Sequence, residues 1–179
     1  MNLLYSICIL FSTFILCQPL AHAFASVEAT CKAAAERNRA VNYDFCVIHF
    51  LRHPRSGDVD ERGLASIAAS MSINTAYNVQ YTIQSLLKKP HDSATISGLH
   101  NCKVLYTRML TTLAEAVDTI NGRQDGMAKN CLEMAIKEAR SCEECFMVGK
   151  KPSPLTQGNK DSIGLSTVSM TILDILKHS

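Results

Sequence analysis

Tryptophan is absent from this chain of 179 residues, and aromatic residues make up only 6% of it. One side chain commonly used to stack on sugars or bases is therefore missing. Low aromatic content beside abundant Ala favours helix over sheet. Neither sign of charge dominates, with 18 Lys and Arg against 16 Asp and Glu. No dense basic run occurs, so the clustered Lys/Arg footprint of a nucleic-acid binder is lacking. There is no G-x-S-x-G, no phosphate-binding Gly loop, no H-E-x-x-H and no Asn-x-Ser/Thr sequon. Internal repeats and low-complexity tracts are also missing. Long hydrophobic runs are confined to one place, Leu3 to Leu16.

That run is uncharged and is followed by Gln18, Pro19 and the small-x-small sequence Ala21-His22-Ala23. The pattern is the h-region and cleavage site of a secretory signal peptide. It falls short of the roughly 20 residues a membrane span needs. No Lys or Arg precedes it, so the N-terminal amine supplies the only n-region charge. The reading predicts a signal peptide over residues 1–23, cleavage after Ala23, and a secreted, extracellular chain that does not enter a membrane.

Hydrophobic residues make up 47% of the chain, enough for a core. They recur at helical spacing. Leu99, Cys102, Tyr106, Met109, Leu113, Ala116 and Ile120 step by three and four, one apolar stripe along a helix of about 29 residues. Asp92 or Ser93 is its N-cap and Asn121-Gly122 its end. Leu64, Ile67, Ala68, Met71, Ala76, Val79, Ile83 and Leu86 mark a helix before it, closed by Lys88-Lys89-Pro90. Ala128, Cys131, Leu132, Ala135, Ala139 and Cys142 mark a third. After a loop with Gly149, Pro152, Pro154 and Gly158, a last helix from about Asn159 carries Ile163, Leu165, Val168, Ile172, Ile175 and Leu176 on one face. Short connections between long helices imply an all-α, antiparallel up-and-down four-helix bundle over 58–179. Two short helical stretches around Cys31 and Cys46 form an N-terminal helical hairpin extension over 24–57.

Cys8 and Cys17 fall in the signal segment. Cys31, Cys46, Cys102, Cys131, Cys142 and Cys145 remain, and in an oxidising compartment they are disulfide candidates. Cys102 lies 20 residues before Gly122 and Cys142 lies 20 after it. Equal helical rise puts both at one height in antiparallel helices, so a Cys102–Cys142 bond is geometrically natural. Closing a loop of about 40 residues stabilises by roughly 4 kcal/mol in the chain-entropy model. By the same logic Cys31 and Cys46 can staple the short hairpin around Asn38-Arg39. Cys131 and Cys145 stand about 21 Å apart on a continuous helix. They read as a buried and a semi-exposed free thiol, the alternatives being a third bond or an intermolecular one.

Cys142-Glu-Glu-Cys145 is a lone C-x-x-C without βαβ context or a second pair, a weak redox or zinc signal. His49 and His53 share an i, i+4 spacing without a carboxylate nearby and read as a solvent-facing pair. Asp60/Glu61 and Glu143/Glu144 read as solvated charge. Met71, Met109 and Met134 read as core. No metal, cofactor or catalytic residue is expected.

Several segments resemble the plant invertase inhibitor and pectin methylesterase inhibitor family. They are Gln18-Pro19-Leu20-Ala21, Thr30-Cys31-Lys32, Val41-Asn42-Tyr43-Asp44-Phe45-Cys46-Val47, Asn101-Cys102, Ser141-Cys142-Glu143, Ser153-Pro154 and Asn159-Lys160-Asp161. The resemblance spans nearly the whole mature chain. It implies a four-helix bundle with an N-terminal hairpin, bonds Cys31–Cys46 and Cys102–Cys142, and one inhibitor domain over 24–179. It also implies a plant cell-wall or vacuolar invertase, or a pectin methylesterase, as partner in the apoplast. The chain departs from the family in the longer spacing of Cys31 and Cys46 and in the additional Cys131 and Cys145. It also has Asp125-Gly126-Met127 where invertase-directed members carry Pro-Lys-Phe.

The expected function is a secreted inhibitor of plant acid invertase (beta-fructofuranosidase), with pectin methylesterase inhibition as the alternative. The invertase-contact loop would be Gly122, Arg123, Gln124, Asp125, Gly126 and Met127. Exposed helix faces near Asn74 to Gln84 and Thr107 to Thr112 would serve pectin methylesterase. A lipid or small-ligand carrier and a structural protein known only as an allergen are the rivals. A monomer is expected, and an exposed Cys145 makes a covalent dimer conceivable.

Overall fold

Three acid or amide side chains start three of the helices. Asn42 accepts from the Phe45 N–H at 2.9 Å, Asp60 from Gly63 at 2.8 Å and Asp92 from Thr95 at 3.1 Å. Each satisfies a first-turn donor that has no partner within its own helix. The computed structural model describes residues 27–147 and 152–177. The segment 1–23 expected as a signal peptide, with Cys8 and Cys17, and also Gly149 and His178, lie outside the described residues. Helical residues 27–37 form α1. They are followed by α2 (Tyr43–Arg52), α3 (Glu61–Leu87), α4 (Ser93–Asn121), α5 (Asp125–Met147) and α6 (Thr156–Leu176).

The protein is all-α. Helices α3 to α6 form a four-helix bundle in which α3 packs on α4, α4 on α5, α5 on α6, and α6 back on α3. Leu64, Ile83, Leu99, Tyr106, Met109, Leu113, Ile120, Leu132, Ile172 and Leu173 fill its centre and are fully buried. The Cys102–Cys142 bond joins α4 to α5 with a Cα–Cα distance of 4.8 Å. The Cys31–Cys46 bond closes the α1–α2 hairpin at 5.7 Å.

The last helix departs most from its sequence pattern. It begins at Thr156, three residues earlier than expected. It is also buried on more than its apolar face, with Ser162, Ser166, Thr167, Ser169 and Thr171 all inaccessible. The physical reason is that α6 has neighbours all round. Against α3, Ser169 Oγ donates to the Ala65 carbonyl at 2.8 Å and Ser72 Oγ meets Ser166 Oγ at 3.1 Å. Farther along, a Cβ on Gly158 would stand 2.3 Å from Val79 Cγ2. Ala65, Ser72 and Val79 recur every seven residues, a small-residue seam along which the two backbones approach closely. On another side the hairpin rests on α6. Asn38 Nδ2 donates to Thr171 Oγ1 at 3.1 Å, and the Phe45 ring lies over Gly164.

A polar network ties three helices together. Tyr106 on α4 donates its hydroxyl to Asn159 Oδ1 on α6 at 2.7 Å. Asn159 Nδ2 and Thr156 Oγ1 both donate to the Glu143 carboxylate on α5, each at 2.5 Å. Glu143, read from sequence as solvated charge, is thus the acceptor that anchors the start of α6. Its neighbour Glu144 is exposed. Met134, read as core, is 48% exposed, because the α5 stripe that faces inward runs through Cys131, Leu132, Ala135 and Ala139 instead.

Two outcomes follow from this packing. Burial pushes the Tyr106 hydroxyl from an ordinary value near 10 up to about 12. A raised value in the folded state means that its stabilising contribution is complete below pH 10 and is lost between pH 10 and 12. Tyr106→Phe should destabilise at neutral pH by about 1–2 kcal/mol, since it leaves the Asn159 oxygen without its donor. The variant should also lose less stability than the parent across that alkaline window in urea titrations. Gly158→Ala should cost about 1–3 kcal/mol through overpacking, and Val79→Ala in the same chain should restore part of that loss. A thermal midpoint unmoved by Gly158→Ala would contradict the close approach of α3 and α6.

Candidate partner-binding surface

The turn between α4 and α5 is built by backbone hydrogen bonds. Gln124 N–H donates to the Thr119 carbonyl at 2.8 Å and Arg123 N–H to the Ile120 carbonyl at 3.1 Å. This pair is the Schellman arrangement, which satisfies the last carbonyls of a helix. The sequence pattern places glycine at its left-handed position. The structure places that position one residue later: Gly122 is the C-cap with φ −77° and Arg123 carries φ 56°. The Gln124 carbonyl then accepts from Ala128 N–H at 3.0 Å and opens α5.

Of the six residues expected as a contact loop, Gly122, Arg123 and Gln124 are the connection. Asp125, Gly126 and Met127 form the first turn of α5. Arg62, at the start of α3, holds the corner. Its guanidinium pairs with both oxygens of Asp125, Nη2 to Oδ2 at 3.0 Å, and Nη1 also reaches the Ile120 carbonyl at 3.3 Å. Hydrogen bonding to Arg62 lowers the Asp125 carboxyl below its ordinary value and raises the guanidinium above its own. The depressed Asp125 value means that this pair stabilises at neutral pH and is lost as acid protonates the carboxylate. A carboxylate in the first turn of α5 also meets the positive end of that helix. With Asp125 engaged, the corner presents Arg123, Gln124, Gly126 and Met127 to solvent, Met127 being 50% exposed.

A second surface lies along α3 and α4. Tyr77 and Tyr81, one turn apart, are 58% and 75% exposed, and Val104 is 60% exposed. Gln80 Nε2 donates to Thr107 Oγ1 at 3.0 Å, which stitches the two helices side by side there. Of the stretch Asn74 to Gln84, Gln80 is thus joined to Thr107, whereas Thr75, Asn78, Val79 and Thr82 line a separate cleft with Leu155, Gln157 and Gly158. No sequence pattern marked Arg62, whose contribution depends on contact across three helices. Asp125 had been placed by register alone.

Cys131 is buried and Cys145 half-buried, and both are free thiols. Burial raises both thiols above their ordinary value, so neither is an activated thiolate. His49 and His53 are half-buried rather than solvent-facing. The Nδ1 of His49 is engaged by the Phe45 carbonyl at 2.8 Å, and His53 Nδ1 accepts from Arg55 N–H at 3.4 Å. Among the described residues no group of three or more His, Cys, Asp or Glu is arranged to hold a metal ion. No helix among them is long and apolar enough to cross a membrane.

Two disulfides, a helical bundle with an N-terminal hairpin, and a corner locked by an ion pair define a rigid helical scaffold that displays surface. The chain belongs to the plant invertase/pectin methylesterase inhibitor family, whose sequence model matches residues 25–172. A Platanus acerifolia protein named "Putative invertase inhibitor" is 32% identical over 177 residues, spanning 98% of this chain and 99% of that one. "Pectinesterase inhibitor 8" of Oryza sativa subsp. japonica is 34% identical over 154 residues, spanning 86% and 84%. A crystal structure of a mutant form of a pectin methylesterase inhibitor from Arabidopsis superposes with a TM-score of 0.71. It shares 15% identity and covers 81% of this chain and 95% of that one, a likeness of fold.

Arg123→Gly should remove the strain of a side chain in the left-handed region and raise stability by about 1 kcal/mol. The urea midpoint should rise with its slope unchanged. A midpoint that falls would mean that the Arg123 side chain makes a contact worth more than the strain.

Proposed function

We propose that the protein is a secreted inhibitor of plant acid invertase that occludes the enzyme with the corner from Gly122 to Met127 and performs no catalysis itself. One observation carries this reading. The corner is held by a Schellman turn and by the Arg62–Asp125 pair, so the backbone that carries its exposed side chains is set before a partner arrives. A preorganised contact loses little conformational freedom on binding. The 32% identity to the Platanus protein across almost the whole chain supports invertase as the target. In the proposed form, residues 1–23 are removed and 24–179 act as one inhibitor unit in the apoplast.

Pectin methylesterase is the second reading, favoured by a specific departure. Asp125-Gly126-Met127 stands where Pro-Lys-Phe would be, and Asp125 is turned to Arg62. Under that reading the Tyr77, Tyr81 and Thr107 face makes the contact. A carrier role has less support, because the bundle interior is filled by Tyr106, Leu113, Leu132 and Ile172.

Purified plant acid invertase and pectin methylesterase, assayed side by side at mildly acidic pH with the oxidised mature chain, decide between the two. Invertase activity should fall while pectin methylesterase is spared. Gln124→Glu with Met127→Glu should weaken that inhibition at least about tenfold without moving the thermal midpoint. This is the range expected for truncating or reversing central contacts. Loss of pectin methylesterase activity alone would move the target to the second reading. Two unaffected enzymes would remove the inhibitor assignment for both.

A further inference from the structure

The formal net charge of the chain is +2, but its distribution is uneven. Glu61, Glu115 and Asp118 bring α3, α4 and the turn between them to only +1, but residues 62–114 contain five Lys and Arg and a single acid, Asp92. Two of those six charges are engaged locally: Arg62 by Asp125, and Asp92 by the Thr95 N–H and hydroxyl at 3.1 and 2.8 Å. Lys88, Lys89 and Lys103 are exposed, and no ion pair among the described residues includes them. Arg108 sits 3.3 Å from Glu138 with its side chain still 62% exposed.

The shape of this face matches its charge. His100, Asn101, Lys103, Val104, Thr107 and Arg108 line a shallow groove of about 480 Å³ along α4. From His100 to Arg108 it runs about 12 Å at helical rise. The Gln80–Thr107 hydrogen bond sets Tyr81 beside it. We propose that this face binds a linear polysaccharide bearing uronate carboxylates, separately from the enzyme contact at the Gly122–Met127 corner. The lysines meet the carboxylates. Asn101 and the remaining polar atoms of the Gln80 amide offer hydrogen bonds to ring hydroxyls, the Thr107 hydroxyl being engaged by Gln80 and the Lys103 carbonyl, and the exposed Tyr81 ring covers an apolar sugar face, as an aromatic side chain with a polar tip can. An extended polyanion fits a shallow, one-directional groove whose exposed cations are Lys103 and Arg108.

The test uses the oxidised full mature chain at low salt and mildly acidic pH. It is passed over immobilised de-esterified polygalacturonate, the same polymer fully methyl-esterified, and neutral dextran. Retention on the first polymer alone is expected, weakening as salt screens the charges. Lys88→Gln with Lys103→Gln should weaken it about tenfold, and Tyr81→Ala severalfold. Lys137→Gln with Arg140→Gln on α5 should leave it unchanged. Invertase inhibition, measured on sucrose without any polyuronate, should be the same for the parent and the Lys88/Lys103 variant, so loss of polymer binding and loss of inhibitor activity are read separately. Equal retention on the esterified polymer would overturn the proposal. So would retention undiminished by the Lys88/Lys103 change, or an equal loss from the α5 pair. Binding of pectin methylesterase through this face without retention on polygalacturonate would assign it to a protein and overturn the proposal as well.

Discussion

Twenty residues of chain on each side of Gly122 bring Cys102 and Cys142 to one height, and the bond between them holds α4 and α5 in that register. Much else is placed by it. The Arg62 fork can meet the Ile120 carbonyl and the Asp125 carboxylate together because the end of α4 and the start of α5 are adjacent. The Glu143 carboxylate, one residue beyond Cys142, stands where Asn159 and Thr156 can donate to it while Asn159 accepts from Tyr106. A slip of one residue between α4 and α5 would turn these side chains by about 100° and break both constellations.

The second organising feature is the polarity of α6. A central helix rich in Ser and Thr packs closely because its hydroxyls find carbonyls and each other: Ser169 to Ala65, Ser72 to Ser166, Thr167 to Ile163 and Thr171 to Thr167. Small side chains let α3 approach on one side and the α1–α2 hairpin on another. The disulfide within the hairpin keeps Phe45 presented to Gly164. The result is a scaffold whose two exposed surfaces, the α4–α5 corner and the α3–α4 face, are carried on rigid elements. Such a scaffold suits recognition of a partner by shape and charge.

The two surfaces differ in chemistry. The corner has its one acid paired internally and displays Arg123, Gln124 and Met127. The long face carries the unpaired lysines and the exposed tyrosines. A chain near overall charge balance can therefore address an enzyme and a polyanion at separate places, because net charge says little about local field.

Helix positions, bundle class and the pairing height of Cys102 and Cys142 were legible in the sequence. Apolar residues at steps of three and four, a capping Asp and a glycine turn are local signals, and helical rise converts residue counts into distance. The candidate corner was legible as a place between Gly122 and Met127 but not as a shape. Arg123 takes the left-handed position, Asp125 to Met127 are helical, and Arg62 arrives from 60 residues away; each is settled by hydrogen bonds between elements that no local pattern encodes. For the same reason Glu143 reads as solvated charge in one dimension and is half-buried and hydrogen-bonded in three, and no local pattern marks the α6 hydroxyls as enclosed. Met134 is the converse, apolar in sequence and left outside because α5 turns a different stripe inward. By itself the sequence determined which segments are helical and which cysteines stand level. Tertiary structure decided which polar groups are enclosed and which surface is free to bind, since burial depends on what packs against a residue from elsewhere in the chain.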